Sequence, residues 1–343
     1  MQSVRIIARR RGGPEVLETI REEAPEPKRR EVRVRVLAAG VSYADLLMRE
    51  GVHPEKTALP FTPGWDVVGA VDKLGEGVTG LARGQMVAAL PIHGGYAQHI
   101  CLPQDELTVV PDGLDPAEAV SLVLNYVTAY QMMHRVAHTK QRQRALIHSA
   151  AGGIGSALVQ LGRLAGLEMF GTASADDHTA VSAHGATPID YRTVDFVDEI
   201  NRLTGDGVDI VFDGIGGAHV WRSFKALRLR GRVVAYGLTS SLREGRFAGG
   251  ARHRFYGVAR IAGYMALSFI LPGKRRVLLY SIQNLKRWRP AWFREDLAKL
   301  FVLLQERKIE PIIADQVPLA EAQRAHRMLG RGSVRGKIVL ICN

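Results

Sequence analysis

The sequence predicts an α/β chain of two domains, a compact antiparallel β-barrel followed by a doubly wound parallel sheet. Three observations predict it. Turn signals punctuate short strand-like runs over the first third of the chain, strands and amphipathic helices then alternate in regular succession, and a glycine-rich turn joins the first of those strands to its helix. With 343 residues the chain is long enough for two cores.

The barrel is read from its strands and breakers. Val32-Arg33-Val34-Arg35-Val36 alternates apolar and basic residues with the period of a half-buried strand. Breakers recur at Pro60-Phe61-Thr62-Pro63-Gly64, Gly75-Glu76-Gly77, Gly80 to Gly84 and Gly94-Gly95, which leaves room only for short strands. This domain is expected over 1–122, completed by about 300–343. A final strand over Gly336-Lys337-Ile338-Val339-Leu340 is expected to rejoin it.

Asp115-Pro116-Ala117-Glu118 has the composition of a helix start, and longer periods follow it. Strands are expected over Arg144–His148, Glu168–Thr172, Val208–Asp213 and Arg232–Gly237, with a helix from Gly155 to Gly166. Strand, helix, strand in succession requires right-handed crossovers and hence a parallel sheet, expected over 123–299.

Residues 145–166 carry the clearest chemical signal. A strand runs into Gly152-Gly153-Ile154-Gly155 and then a helix, with the spacing Ala150-x-Gly152-x-x-Gly155. Such a turn lets a dinucleotide pyrophosphate approach backbone N–H groups at the positive end of a helix. The next strand ends at Ser174, where an acidic residue would favour NAD and a serine with nearby cations NADP. His178 and Arg192 are the nearby cations, whereas Asp176 and Asp177 suit a helix cap and first turn.

Composition narrows the classes. Hydrophobic residues make up 46% and charged residues 23%, which excludes a disordered chain, a collagen or a coiled coil. Two cysteines, Cys101 and Cys342, provide neither a disulfide framework nor a four-thiolate zinc lobe, and a reducing, cytoplasmic setting is the expectation. The first residues lack the apolar core of a signal peptide. Ile261–Leu271 is apolar but too short to span a bilayer and is expected to be a buried helix or interface element.

Taken together, Gly40-Val41-Ser42-Tyr43-Ala44-Asp45, Pro63-Gly64-Trp65-Asp66-Val67-Val68-Gly69, Gly94-Gly95-Tyr96-Ala97, Thr128-Ala129-Tyr130, Ala150 to Gly155 and Gly336 to Leu340 resemble the medium-chain dehydrogenase/reductase superfamily. Within it the chain is similar to the zinc-independent, zeta-crystallin-like quinone oxidoreductases. Gly171–His178, Pro188–Ile200 and Gly207–Gly217 look most like the branch of synaptic-vesicle amine-transport membrane protein homologs. The resemblance implies a GroES-like antiparallel β-barrel catalytic domain, a Rossmann doubly wound nucleotide-binding domain, NADPH or NADH as cofactor, and a homodimer.

It also implies a cofactor-contacting set: Ser42, Thr128, Ala151, Gly152, Gly153, Ile154, Gly155, Ser174, His178, Tyr191, Arg192, Gly214, Gly237 and Lys337. Zinc-dependent relatives carry a Cys near Ser42, a His at Trp65 and a four-Cys loop after Gly95, none of which stands here, so no metal is expected. Vesicle-protein homologs carry a Lys at Asp177, so the strictness of NADPH preference stays open.

Without a Lewis acid, the implied reaction is hydride transfer to an already polarised acceptor, a quinone or an α,β-unsaturated carbonyl, aided by one proton donor. Tyr43, His53 and Tyr126 are the candidate donors. Asp45 and Asp66 are expected to be acceptors for backbone N–H groups, and Trp65 to fill the space of a lost metal ligand.

Charge gives the alternative. The chain carries 46 Lys and Arg against 34 Asp and Glu, a net +12, and residues 241–290 alone hold +10 of it. Basic flanks around an apolar middle, with Trp288 and Trp292 nearby, are what contact with anionic lipid requires, and a lipid-binding protein with little turnover is the second reading. A solvated lobe with one buried helix is the plainer account of the same segment. No recognition motif for nucleic acid accompanies the charge.

Overall fold

The computed structural model describes residues 1–343 except 54, 56, 240, 241, 244, 245, 248, 249, 333 and 343, and of 242, 243, 246, 247, 250–258 and 272 it describes the backbone alone. The chain divides into two compact units: Met1–Val127 with Glu244–Phe247 and Arg289–Asn343, and Thr128–Arg243 with Ala248–Trp288.

The first unit begins with the antiparallel hairpin of β1 (Gln2–Ala8) and β2 (Leu17–Glu23). β3 (Glu31–Val41) is its spine, because Val32, Val34 and Val36 are almost fully buried. Helix α1 (Tyr43–Arg49) follows, then β4 (Val67–Leu74), β5 (Met86–Ala89), β6 (His99–Pro103) and β7 (Thr108–Val109). Helix α2 (Pro116–Ser121) starts where expected: the Asp115 carboxylate accepts the N–H groups of Ala117 and Glu118, and Pro116 supplies a first-turn residue that needs no donor.

The second unit is built on a parallel sheet. After α3 (Val127–Gln131) come β8 (Arg144–Ile147), α4 (Gly153–Leu164), β9 (Glu168–Ala173), α5 (His178–Ala183), β10 (Ala186–Asp190), α6 (Phe196–Thr204), β11 (Val208–Asp213), α7 (His219–Lys225) and β12 (Leu227–Ala235). The short strand β13 (Leu242–Arg243) follows, β14 (Arg246–Phe247) falls in the stretch counted with the first unit, and α8 (Gly250–Ile270) and β15 (Arg276–Leu279) complete the second unit. The sheet order is β10-β9-β8-β11-β12-β15, all parallel, so the winding reverses between β8 and β11. Ligands bind outside the carboxyl ends of the strands at such a reversal.

Ile261–Leu271 differs from a buried helix. Among the described side chains of α8, Ile261 is 3% exposed and Tyr264 and Met265 lie against the core, whereas Phe269 and Ile270 are 64% and 82% exposed. Among the described residues no helix is long and apolar enough to cross a membrane.

After α9 (Ile282–Trp288) the chain returns to the first unit with α10 (Pro290–Gln305), β16 (Ile313–Pro318), α11 (Ala322–Gly330) and β17 (Lys337–Ile341). β17 pairs antiparallel with β3 and parallel with β16, giving the order β16-β17-β3-β4-β5-β7, with β6 also on β3. Gly40 in β3 faces Lys337 and Asp66, which form a buried ion pair of 2.8 Å. A Cβ on Gly40 would lie 2.4 Å from both the Asp66 Oδ2 and the Lys337 Cε. Gly40→Ala is expected to cost about 2 kcal/mol by forcing that pair apart, read by chemical denaturation; an unchanged midpoint would contradict this packing.

Candidate dinucleotide and substrate site

The glycine turn is set by one close approach. A Cβ on Gly155 would sit 2.1 Å from the Ser149 carbonyl oxygen and 2.8 Å from the Ala150 Cα, so only glycine lets α4 start this near the end of β8. Ser149 itself takes a left-handed backbone at φ +54°, and its carbonyl accepts the Gly152 N–H at 2.9 Å. Gly152 is the N-cap of α4 and offers no side chain to the first-turn N–H groups, which leaves them available to an anion. Ala151, Gly152, Gly153 and Ile154 are partly exposed there. The residues present therefore fit a pyrophosphate.

The neighbouring strand ends bring other expected residues to the same edge. Gly214 follows β11 and Gly237 lies just past β12; a Cβ on Gly237 would come within 2.2 Å of the Gly214 carbonyl oxygen. These glycines let the two loops pass in contact. Ser174, at the end of β9, donates its hydroxyl to Asp177 Oδ2 at 2.7 Å. His178 opens α5, with a buried Nε2 that has no hydrogen-bond partner among the described residues. Tyr191 is 55% exposed beyond β10, and the Arg192 guanidinium lies 5.7 Å above its ring. Thr128 is buried in α3.

The remaining expected residues belong to the first unit. Ser42 caps α1, and its N–H and hydroxyl both donate to Asp45 Oδ2, at 2.9 and 2.6 Å. Gly64 N–H donates to the other Asp45 oxygen at 2.8 Å, so Asp45 is the backbone acceptor expected of it. Burial raises the Asp45 carboxyl to about 6, despite the opposing hydrogen bonds from Ser42 and Gly64. Asp66 is instead the partner of Lys337, and both are buried. Burial raises the Asp66 carboxyl, and the Lys337 ammonium partly offsets it.

Tyr43, the first residue of α1, is half-buried, and burial pushes its phenol up. His53 packs edge-on against Trp65, with ring centroids 5.2 Å apart, and its Nδ1 accepts the Glu55 N–H. Trp65 is 3% exposed and donates its indole N–H to the Met48 sulfur at 3.1 Å, filling its space as expected. Tyr126 is only 2% exposed, at the end of a π-helical turn, and its phenol is pushed far up by burial and by Glu310.

A buried polar network beneath the glycine turn escaped the sequence reading. His148 follows β8 directly, with Nδ1 3.1 Å from Thr172 Oγ1 and Nε2 3.1 Å from Ser223 Oγ. Ser223 donates to Asp213 Oδ2 at 2.7 Å, and His219 Nδ1 lies 3.0 Å from the same oxygen. Asp213 Oδ1 accepts the N–H groups of Ile215 and Gly216, each at 2.9 Å. Burial alone would raise the Asp213 carboxyl, but His219, His148 and Ser223 outweigh it and hold it well below the usual range. Burial lowers the His148 imidazole to about 3, so it is neutral. Among the described residues His148, Asp213 and His219 are also the group of His, Cys and acidic side chains that converges closely enough to hold a metal ion. The signal was a histidine and an aspartate, each closing a buried strand.

An antiparallel barrel unit and a parallel sheet with this glycine turn define a medium-chain dehydrogenase/reductase. The alcohol dehydrogenase GroES-like domain model matches residues 28–112, and the zinc-binding dehydrogenase model residues 184–340. The human synaptic vesicle membrane protein VAT-1 homolog is 37% identical over 64% of this chain, which spans 56% of that protein's length. The human VAT-1 homolog-like protein is 30% identical over 96% of this chain and 78% of its own length. The Escherichia coli quinone oxidoreductase complexed with NADPH superposes with a TM-score of 0.86 at 27% identity, covering 98% of this chain and 99% of that one. The chain belongs to the zinc-independent quinone oxidoreductase and VAT-1-like family of that superfamily.

Asp45 gives a pH signature. Its acidity is weakened in the fold, so its contribution is complete below the unfolded value of 3.8 and is lost as pH rises through about 6. Between about pH 4 and 6.5 the wild type is expected to lose on the order of 3 kcal/mol relative to Asp45→Asn, read by urea denaturation. A constant difference would contradict it.

Proposed function

We propose that the chain is an NAD(P)H-dependent reductase that delivers hydride to a quinone or an α,β-unsaturated carbonyl, with no part for a metal. The observation that carries this reading is the uncapped first turn of α4 at the reversal between β8 and β11. The similarity to a quinone oxidoreductase complexed with NADPH supports it. Ser42 and Trp65 stand where zinc-dependent relatives place ligands, which supports chemistry without a Lewis acid.

The first-turn N–H groups of α4 and the backbone of Ala151 to Gly155 would hold the pyrophosphate, and Gly214 and Gly237 would admit the nicotinamide half. Bound there, the reduced nicotinamide supplies a hydride. Ser42 and Thr128 complete the expected contacts, whereas the Lys337 ammonium is engaged by Asp66. Hydride addition to the conjugated carbon leaves negative charge on the acceptor oxygen, and one proton completes the reduction. Tyr43 is the donor we favour over His53 and Tyr126: Tyr126 is buried, and His53 is packed on Trp65. Tyr43→Phe is expected to lower kcat about 100-fold with little change in dinucleotide affinity. Full kcat in this variant would remove Tyr43 from the reaction.

NADPH is the proposed dinucleotide, with NADH competent. Ser174, His178 and Arg192 favour a 2′-phosphate, and the carboxylates of Asp176 and Asp177 oppose it. Asp177→Lys is therefore expected to raise the kcat/KM preference for NADPH over NADH at least about tenfold. Fluorescence titration of the purified chain with each dinucleotide tests the whole reading, which fails if neither binds.

We read the chain as a homodimer on the open edge of β15, where Leu279 is 57% exposed. Contact of the 241–290 segment with anionic lipid has one supporting observation. Leu267, Phe269 and Ile270 of α8 are exposed in a segment that also exposes Arg260, Lys274 and Arg287. The side chains of Arg243, Arg246, Arg252 and Arg254 lie outside the described residues. Sedimentation with anionic against neutral vesicles tests this contact.

A further inference from the structure

We propose that His148 is a positioning residue that locks the glycine turn to the loop after β11 through a single directed chain of hydrogen bonds; this rests on the dinucleotide reading above. Hydroxyl and imidazole groups fix the direction. Asp213 is ionised and accepts the Ser223 hydroxyl proton, so Ser223 Oγ has only lone pairs left for His148. His148 must therefore carry its proton on Nε2. The imidazole is neutral, so its Nδ1 is a lone pair and takes the Thr172 hydroxyl proton.

Thr172 Oγ1 in turn accepts the backbone N–H of Ser149 at 3.2 Å. The chain thus runs from the Ser149 N–H through Thr172, His148 and Ser223 to the Asp213 carboxylate. Its two ends are the two loops that flank the sheet reversal. At one end it holds Ser149, the residue with the left-handed backbone, whose carbonyl lies against Gly155. At the other, Asp213 gathers the N–H groups of Ile215 and Gly216 and the His219 ring.

A left-handed non-glycine residue persists only where its surroundings over-determine it, and a turn that must present N–H groups to a pyrophosphate needs that determination before binding. Hydrogen bonds in such a chain polarise one another, so cutting one link weakens the rest. His148 is the only member that reaches both halves. It is buried beneath the turn and acts through Thr172 and Ser223.

NADPH affinity and thermal stability of the full chain are measured together for wild type, Thr172→Val, Ser223→Ala, the double variant and His148→Leu. Thr172→Val and Ser223→Ala preserve shape and keep the test informative where His148→Leu fails to fold. Each single variant is expected to weaken NADPH binding about three- to tenfold. The double variant should be no weaker than the weaker single one, because one chain is being cut twice. In soluble His148→Leu neither further substitution should matter. KM for NADPH should rise while kcat at saturation stays within about twofold. Wild-type affinity with a lowered melting temperature would make His148 merely structural, and multiplying effects of the two single variants would make the links independent; either result overturns the proposal. A wild type that binds neither NADPH nor NADH instead overturns the dinucleotide reading, and the proposal with it.

Discussion

The contact on which the nucleotide-binding unit depends is the meeting of the Gly155 backbone with the Ser149 carbonyl. Because nothing larger than hydrogen fits there, α4 can start within one turn of the end of β8 and aim its uncapped N-terminus along the carboxyl edge of the sheet. The left-handed Ser149 sits at this approach, and the buried network lies under it. Gly214 and Gly237 solve a related crowding problem on the adjoining strands, where two loop backbones cross. Three glycines thus shape one edge of the six-stranded sheet.

The first unit manages its interior differently. Asp45 and Asp66 are both fully buried carboxylates, yet only Asp66 has an ammonium for a partner. Asp45 is held by neutral donors from Ser42 and Gly64, which only partly offset the loss of acidity that burial causes. A buried ion pair adds little net stability after desolvation, so the Asp66–Lys337 contact is better understood as fixing where β17 lies over β3. It joins the residue after Trp65 to β17.

Periodicity made the strands legible. Val32 to Val36 alternates because one face is buried, and Val208–Asp213 is apolar because both faces are covered. The strand β3 nevertheless continues to Val41, since Leu37 to Val41 borrows its pairing from β17, some 300 residues away, and no local signal reports that. Helix α4 starts two residues before the expected Gly155, because glycines tolerated in a first turn read as loop in a sequence. The glycine turn was evident because its constraint is local. The network of His148, Thr172, Asp213 and Ser223 was not, because its members come from four elements and each looks like an ordinary polar residue at a strand or helix end. Ile261–Leu271 left a buried helix and an interface element both open, because an apolar count does not say which face has a neighbour.

The pairing of β17 with β3 has a consequence for how the molecule is made. β17, the antiparallel partner of the end of β3, is synthesised some 300 residues after it. Until then Ala38–Val41 of β3 lacks this partner, and unpaired N–H and C=O groups beside an apolar face are the features of an aggregation-prone edge. The parallel sheet, encoded without interruption between β8 and β15, can close its own core first. The seam at Ala38–Val41 therefore stays open until the return strand arrives, and it is a place where protection by a chaperone during synthesis would act.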